Sequence, residues 1–294
     1  MIAIDAHQHV WDLGFADYAW PNESVPALHR TIEFSEILAD LAQAGINGTI
    51  LVQAADTAAE TRRLLAVGDE YPQVVGVVGW IPLDRPAEAE QLVMEFTADD
   101  RFVGTRSLIH TYPDPEWILR PAAFHGLALL ERTGLTYDVV TADPRALDIV
   151  PVLSERYPAL RIVIDHLGKP PLGEGSQSHL AWRTRLARAA ENPLAHAKLS
   201  GLYASRGPLE SWTTDELRPV VADALELFGP ERLMFGGDWP VSLLAGGHHR
   251  GWAAITSLID ELTPEHHATI LGGTAARFYQ IDPRRLRVLR SRTS

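Results

Sequence analysis

Eight short runs rich in β-branched residues recur along the chain, each followed by a longer amphipathic stretch. This alternation limits the fold more than any other feature. The runs are Ile2–Asp5, Gly48–Gln53, Val74–Ile81, Phe102–Ile109, Thr136–Val140, Arg161–Asp165, Ala195–Leu199 and Arg232–Phe235. Strands separated by helices pair in parallel, because each helix carries the chain back along the sheet. Eight such units predict an α/β protein, a single (β/α)8 TIM-type barrel occupying residues 1–294 as one domain. A doubly wound open sheet would carry a glycine-rich phosphate loop after its first strand. Here the first run leads into His7-Gln8-His9 instead.

The helical stretches carry their own end signals. Ser35 is positioned to cap Glu36–Ala44, and Thr57-x-x-Glu60 has the form of a capping box before Thr61–Glu70. Asp84 precedes a stretch that runs to Phe96, and Pro121–Arg132 ends before Gly134, a natural C′ glycine. Asp143-Pro144 opens a segment reaching Tyr157, with Pro151 as an expected break. Leu180–Glu191, Asp215–Phe228, Trp252–Leu262 and Pro264–Tyr279 complete the set. The longest irregular stretch, Trp11–Arg30, carries Trp11, Phe15, Tyr18 and Trp20 and is expected to cover or help form the barrel mouth.

Net charge and residue usage exclude several function classes. A net charge of −12 is the wrong sign for nucleic acid or an anionic membrane surface. The absence of cysteine excludes disulfides, thiolate metal sites and a cysteine nucleophile. No run approaches the roughly 18 apolar residues of a membrane span. The first residues lack a signal-peptide pattern, so a cytoplasmic setting is expected. Only Lys169 and Lys198 are lysines among 26 basic Lys and Arg residues.

In barrels of this kind the chemistry sits at the C-terminal ends of strands. Three motifs fall there. His7 and His9 are two residues apart, so on an extended strand they face one side, where paired imidazoles suit a divalent metal or a polarised carbonyl. His166 ends the sixth run, within Asp165-His166-Leu167-Gly168-Lys169-Pro170. Asp238 follows the eighth run, within Gly236-Gly237-Asp238-Trp239-Pro240. It comes beside the histidine pair once the barrel closes, positioned to bind metal or act as general base on water.

These motifs resemble the amidohydrolase superfamily, and within it the amidohydrolase-2 branch of lactonases. That branch includes lactonases of L-fucono- and L-rhamnono-lactones, sulfomuconolactone hydrolase and pyrone-dicarboxylate lactonase. The resemblance covers nearly the whole chain. Further matching stretches are Leu51-Val52-Gln53-Ala54, Val78-Gly79-Trp80-Ile81, Gly104-Thr105-Arg106, Lys198-Leu199-Ser200-Gly201-Leu202 and Ala275-Ala276-Arg277-Phe278-Tyr279. Gly237 stands where serine is common and Thr274 where asparagine is common. The resemblance implies hydrolysis of a small lactone, most simply a sugar aldonolactone. Asp238 would be the general base, and His7, His9 and His166 would polarise the carbonyl or hold one metal. The alternatives are a metal-dependent decarboxylase of the same superfamily and a lactonase of an aromatic-degradation pathway.

Two-metal relatives bridge their ions with a carboxylated lysine on the fourth strand. The fourth run here has none, and the fifth lacks the histidine that many relatives use. The expected cofactor is therefore none, or one zinc on His7, His9, His166 and Asp238. Arg106 could fork onto a carboxylate or vicinal hydroxyls. His110, Lys169 and Lys198 are expected at the mouth, and Trp239 could stack on a sugar face. Tyr203 is a weaker candidate. His248-His249 and His266-His267 read as surface or mouth-loop residues, and the place of His196 is left open. The expected partner is a small-molecule lactone, with neither nucleic acid nor membrane; a homo-oligomer is compatible with the sequence.

Overall fold

The computed structural model describes residues 2–292 apart from 17, 115, 141 and 142. Eight parallel strands follow one another around a single sheet in chain order. They are β1 (Ala3–Gln8), β2 (Ile46–Val52), β3 (Val74–Gly79), β4 (Phe102–Arg106), β5 (Thr136–Val139), β6 (Ile162–Ile164), β7 (Ala195–Leu199) and β8 (Leu233–Phe235). The intervening helices are α1 (Leu38–Ala44), α2 (Ala58–Glu70), α3 (Pro86–Phe96), α4 (Pro121–Thr133), α5 (Ile149–Arg156), α6 (Ser176–Ala190) and α7 (Thr214–Phe228). After β8 come α8 (His248–Leu258), α9 (Pro264–Ala268), α10 (Thr274–Phe278) and α11 (Pro283–Arg292). No helix among the described residues is long and apolar enough to cross a membrane.

The ring closes between β8 and β1 just past the last strand. His9 N donates to Trp239 O at 2.7 Å and Asp238 N to His7 O at 2.8 Å. The Asp5 carboxylate reinforces the seam by accepting from Gly237 N at 2.7 Å. Closure thus places the His7–His9 segment and Asp238 side by side.

Two cores hold the barrel. The larger lies between strands and helices and includes Leu51, Phe102, Ile162, Leu199 and Phe235. The smaller fills the interior with Ile4, Ala6, Val52, Val103, Val163 and Met234, packed against Phe278 and Tyr279. Each Val, Leu, Ile, Phe or Met side chain among them contributes about 1.5–3 kcal/mol by leaving water.

Interior parity changes along β1. The pairing register with β2 shifts between Asp5 and Gln8, so three residues of β1 advance against two of β2. Ile4, before the shift, and Ala6, within it, fill the barrel, and the next residue, His7, also reaches inward, beside Lys198. Such irregularities re-aim side chains at a barrel rim.

Local signals set most helix ends. Gly134 caps α4 at φ 72°, as its place after the amphipathic run predicts. Thr57 Oγ1 accepts from Glu60 N, but the Glu60 carboxylate turns inward to Ala54 N and Ala55 N, so only half the expected capping box forms. The 144–157 segment divides before Ile149, not at Pro151. Pro151 lies in the first turn of α5, where its missing N–H would have had no helical partner.

Gly126 packs its helix directly onto backbone. A Cβ there would lie 2.5 Å from both Cα and O of Leu83. Alanine favours a helix over glycine by about 1 kcal/mol, but displacing a neighbouring backbone costs about 1–3 kcal/mol. Gly126→Ala is therefore expected to lower the urea midpoint; a raised midpoint would contradict this packing.

Candidate active site

Three strand ends converge on one side of the barrel, and two of them do so on unusual backbone. His166, Leu167 and Lys169 after β6 have φ of 54°, 50° and 62°, and Asp238 after β8 has φ 51°. Non-glycine residues held at positive φ store strain that their surroundings must over-determine. Gly201 explains how the two turns come together. A Cβ on it would lie 2.6 Å from both Asp238 Oδ2 and His166 Nδ1. Glycine here lets His166 and Asp238 flank one backbone position.

The four expected groups form one cluster. His7 Nε2 and His9 Nε2 stand 3.1 Å apart. Asp238 Oδ1 lies 3.8 Å from the first and 3.7 Å from the second. The His166 ring meets the His7 ring edge-on, with centroids 4.6 Å apart. Each member has a fixing partner: His9 Nδ1 is 2.7 Å from Val52 O, His166 Nδ1 is 2.9 Å from Ser200 Oγ, and Tyr203 donates to Asp238 Oδ2 at 3.2 Å. Burial pushes His7 well below the usual imidazole range, with the Lys198 charge adding to it and Asp165 opposing. Burial also lowers His9. Both rings are therefore neutral near pH 7.

Beneath the histidines lies a layer of buried charge whose carboxylates, Asp138 and Asp165, sequence reading did not assign. Lys198 Nζ contacts Asp138 Oδ2 at 2.6 Å, Asp165 Oδ1 at 3.0 Å and His7 Nδ1 at 3.1 Å. Arg106 Nη1 donates to Asp165 Oδ2 at 3.1 Å, and Tyr279 donates to Asp138 Oδ2 at 2.9 Å. Burial would raise Asp165, but Lys198, His7 and Arg106 together hold it well below the usual carboxylate range. Burial lifts Asp138 to about 6 against the pull of Lys198.

A cavity of about 410 Å³ opens above this cluster. His9, His166 and Asp238 line its floor, and Arg106, His110, Lys169 and Tyr203 line its sides. Trp11, Ala19 and Trp20 also face it, so the aromatic 11–30 stretch helps form the mouth. A second cavity of about 420 Å³ lies beside Trp80, Tyr112 and Trp117. It contains none of the clustered histidines, so the chemistry belongs to the first.

Several expected roles change. Lys198 is sealed inside the barrel and holds His7, so it does not reach the cavity. Trp239 is 2% exposed and absent from the cavity wall, where Trp20 offers a ring instead. Arg106 does face the cavity, but much of its guanidinium is committed to Asp165 and to Gln53 O. His248, expected as a surface or mouth-loop residue, is fully buried and meets Asp5 Oδ2 at 2.9 Å. With His7 N, Gly237 N and Gln8 Nε2, it surrounds the Asp5 carboxylate with donors. Gly237 makes room for this contact, because a Cβ there would lie 2.4 Å from Asp5 Oδ2 and from His248 Cδ2. His196 lies toward the opposite end of the barrel against Phe278, with ring centroids 4.6 Å apart.

The donor set fits a single divalent ion. His7, His9 and Asp238 form one group of close ligand atoms, and His7, Asp165 and His166 form another that shares His7. Nitrogen and oxygen ligands of a tetrahedral zinc stand roughly 3.3–3.5 Å apart. The His7–His9–Asp238 separations lie near that value.

The amidohydrolase family profile matches residues 4–281. The chain belongs to this family. It is 36% identical over 286 residues to an L-fucono-1,5-lactonase of Burkholderia ambifaria, covering 95% of this chain and 96% of that one. A second L-fucono-1,5-lactonase, from Burkholderia multivorans, is 33% identical, covering 95% and 96%. Among solved structures, a Burkholderia multivorans amidohydrolase with bound zinc superposes with a TM-score of 0.88 at 30% identity, covering 96% of this chain and all of that one.

Behind the β2 end, Glu60 is fully buried with its carboxylate against Ala54 N and Ala55 N, and Ala54 faces the cavity. Burial pushes Glu60 from 4.5 up to about 8 despite these donors. A carboxyl raised in the folded state favours folding at low pH, and that contribution is lost as pH rises toward its folded value. Between pH 6.5 and 8.5 the loss is about 2 kcal/mol. Urea denaturation is expected to show a falling midpoint over this window, flattened in Glu60→Gln. Equal slopes for the two proteins would contradict the assignment.

Proposed function

We propose that this chain hydrolyses a sugar aldonolactone of the L-fucono- or L-rhamnono-lactone type to the open acid. The observation that carries this reading is the Asp238 carboxylate, on the floor of a sugar-sized cavity and flanked by two neutral imidazoles at 3.7 and 3.8 Å. The L-fucono-1,5-lactonase relatives support the substrate class.

The chemistry follows from the placement. Asp238 takes a proton from water, and the water oxygen bonds to the lactone carbonyl carbon. Negative charge gathers on the carbonyl oxygen, where N–H donors from the histidine cluster stabilise it. The tetrahedral intermediate collapses, the ring C–O bond breaks, and the departing alkoxide takes the proton from Asp238. The products are the hydroxy acid and the regenerated carboxylate. Tyr203, donating to the other Asp238 oxygen, orients the base. A zinc ion on His7, His9 and Asp238 would add Lewis-acid polarisation of the carbonyl when bound.

His110 and Lys169 line the cavity and serve the sugar hydroxyls, while Trp20 offers its ring to the apolar sugar face. The whole chain acts as a single barrel domain on a small molecule in the cytoplasm, without nucleic acid or membrane, and association into a homo-oligomer is compatible with this reading. The decarboxylase and aromatic-pathway alternatives draw less support, because two relatives similar over nearly the whole chain are L-fucono-1,5-lactonases.

A panel of sugar lactones followed by acid release with a pH indicator tests this reading. Hydrolysis above the spontaneous rate is expected, with kcat falling about 10²–10⁴-fold in Asp238→Asn. No turnover of any lactone would overturn the sugar-lactonase reading.

A further inference from the structure

We propose that the second cavity, beside Trp80, Tyr112 and Trp117, is a binding site for a neutral sugar, distinct from the cavity above the histidines. Trp80 directly follows β3, and Tyr112 and Trp117 stand in the connection between β4 and α4. The site therefore lies at the C-terminal ends of the strands, on the same side of the barrel as the histidine cluster. Thr111 lines the histidine cavity and Tyr112 the second one, so adjacent residues of one turn face the two. A volume of about 420 Å³ is in the range of small-molecule sites.

Three aromatic rings and four charged groups decide what fits. The Tyr112 and Trp117 rings meet edge-on with centroids 5.0 Å apart. Trp80, Tyr112 and Trp117 are only half-buried, and rings left open at a concave surface gain by covering the apolar face of a ligand. The charged groups of the wall are Asp84, Arg85, Asp114 and Arg120, which sum to zero. Arg120 Nη2 pairs with Asp114 Oδ2 at 2.6 Å, and Arg85 Nη1 with Glu88 Oε2 at 2.7 Å. With both guanidinium charges matched, an anion gains no net attraction. A cation is disfavoured too, because Arg85 already stands over the Trp80 ring, 5.7 Å from its centroid. The Asp84 carboxylate is exposed and has no hydrogen-bond or ion-pair partner among the described residues. The ligand that suits this wall is uncharged. It has an apolar face for the rings and hydroxyls for the Asp84 carboxylate and the guanidinium N–H groups. A sugar has both.

The central ring of the wall is fixed in advance. Tyr112 donates to Asp56 Oδ2 at 2.6 Å, and Leu108 N donates to the same carboxylate at 3.2 Å. Leu108 lines the histidine cavity. One carboxylate thus holds a wall of each cavity, and a ligand in the second meets a ring already in place, which lowers the cost of binding.

The test uses the full chain carrying 5-fluorotryptophan at its eight tryptophans. ¹⁹F spectra give one line per ring, assigned from Trp20→Phe, Trp80→Phe and Trp117→Phe proteins. The probes are L-fucose and L-rhamnose, which have no lactone bond, so the outcome does not depend on the lactonase reading. Both sugars are expected to move the Trp80 and Trp117 lines together along one saturable curve, with a Kd of about 1–10 mM. The L-fuconate anion is expected to move these two lines only at higher concentration. Trp117→Ala is expected to weaken the sugar response of the Trp80 line by about tenfold or more, through loss of an aromatic face. Asp84→Asn, at an exposed position that does not threaten folding, is expected to weaken it severalfold. Two lines that stay still up to about 100 mM of either sugar would overturn the proposal. So would fuconate binding there as tightly as fucose, or a Kd unchanged in both variants.

Discussion

The ammonium of Lys198, enclosed by Asp138, Asp165 and His7, is the interaction on which the rest of the site depends. A buried charge without partners costs several kcal/mol. Here two cations, Lys198 and Arg106, meet two carboxylates within one contiguous network. Removing either lysine or aspartate leaves the others uncompensated. The network therefore fixes the depth and orientation of His7, and through His7 the place of His9 and Asp238.

A second constraint acts from the side. Asp5 accepts from β1, from the turn after β8 and from His248, so one carboxylate ties together the two edges that close the barrel. Gly201 and Gly237 allow side chains to approach where any Cβ would intrude. The left-handed backbone at His166 and Asp238 is held by these contacts. Charge, closure and strain are thus concentrated at the end of the barrel where the cavity opens.

The barrel was legible in the sequence because β-branched runs and amphipathic stretches alternate eight times. His7, His9, His166 and Asp238 were legible because each lies at or just past the C-terminal end of a strand, and the structure brings all four together. Depth was not legible. Lys198 and Trp239 stand in the right motifs, but two-residue alternation tells which side a residue faces and not how far down the barrel it sits. His248 read as a surface or mouth-loop residue because its neighbour is also histidine, yet the first turn of α8 directs it onto Asp5. Asp165 precedes an obvious histidine and drew no attention of its own. Only its buried cationic neighbours mark it.

In the proposed reaction Asp238 and the histidines act on the lactone, with the sugar directed toward His110 and Lys169. A crystal structure of the protein soaked with an aldonic acid product tests that placement most directly. The predicted result has the product carboxylate within hydrogen-bond reach of His9, His166 and Asp238, and hydroxyls near His110 and Lys169. An acid bound only in the neighbouring cavity by Trp80, Tyr112 and Trp117, with the histidine floor left to solvent, would contradict it.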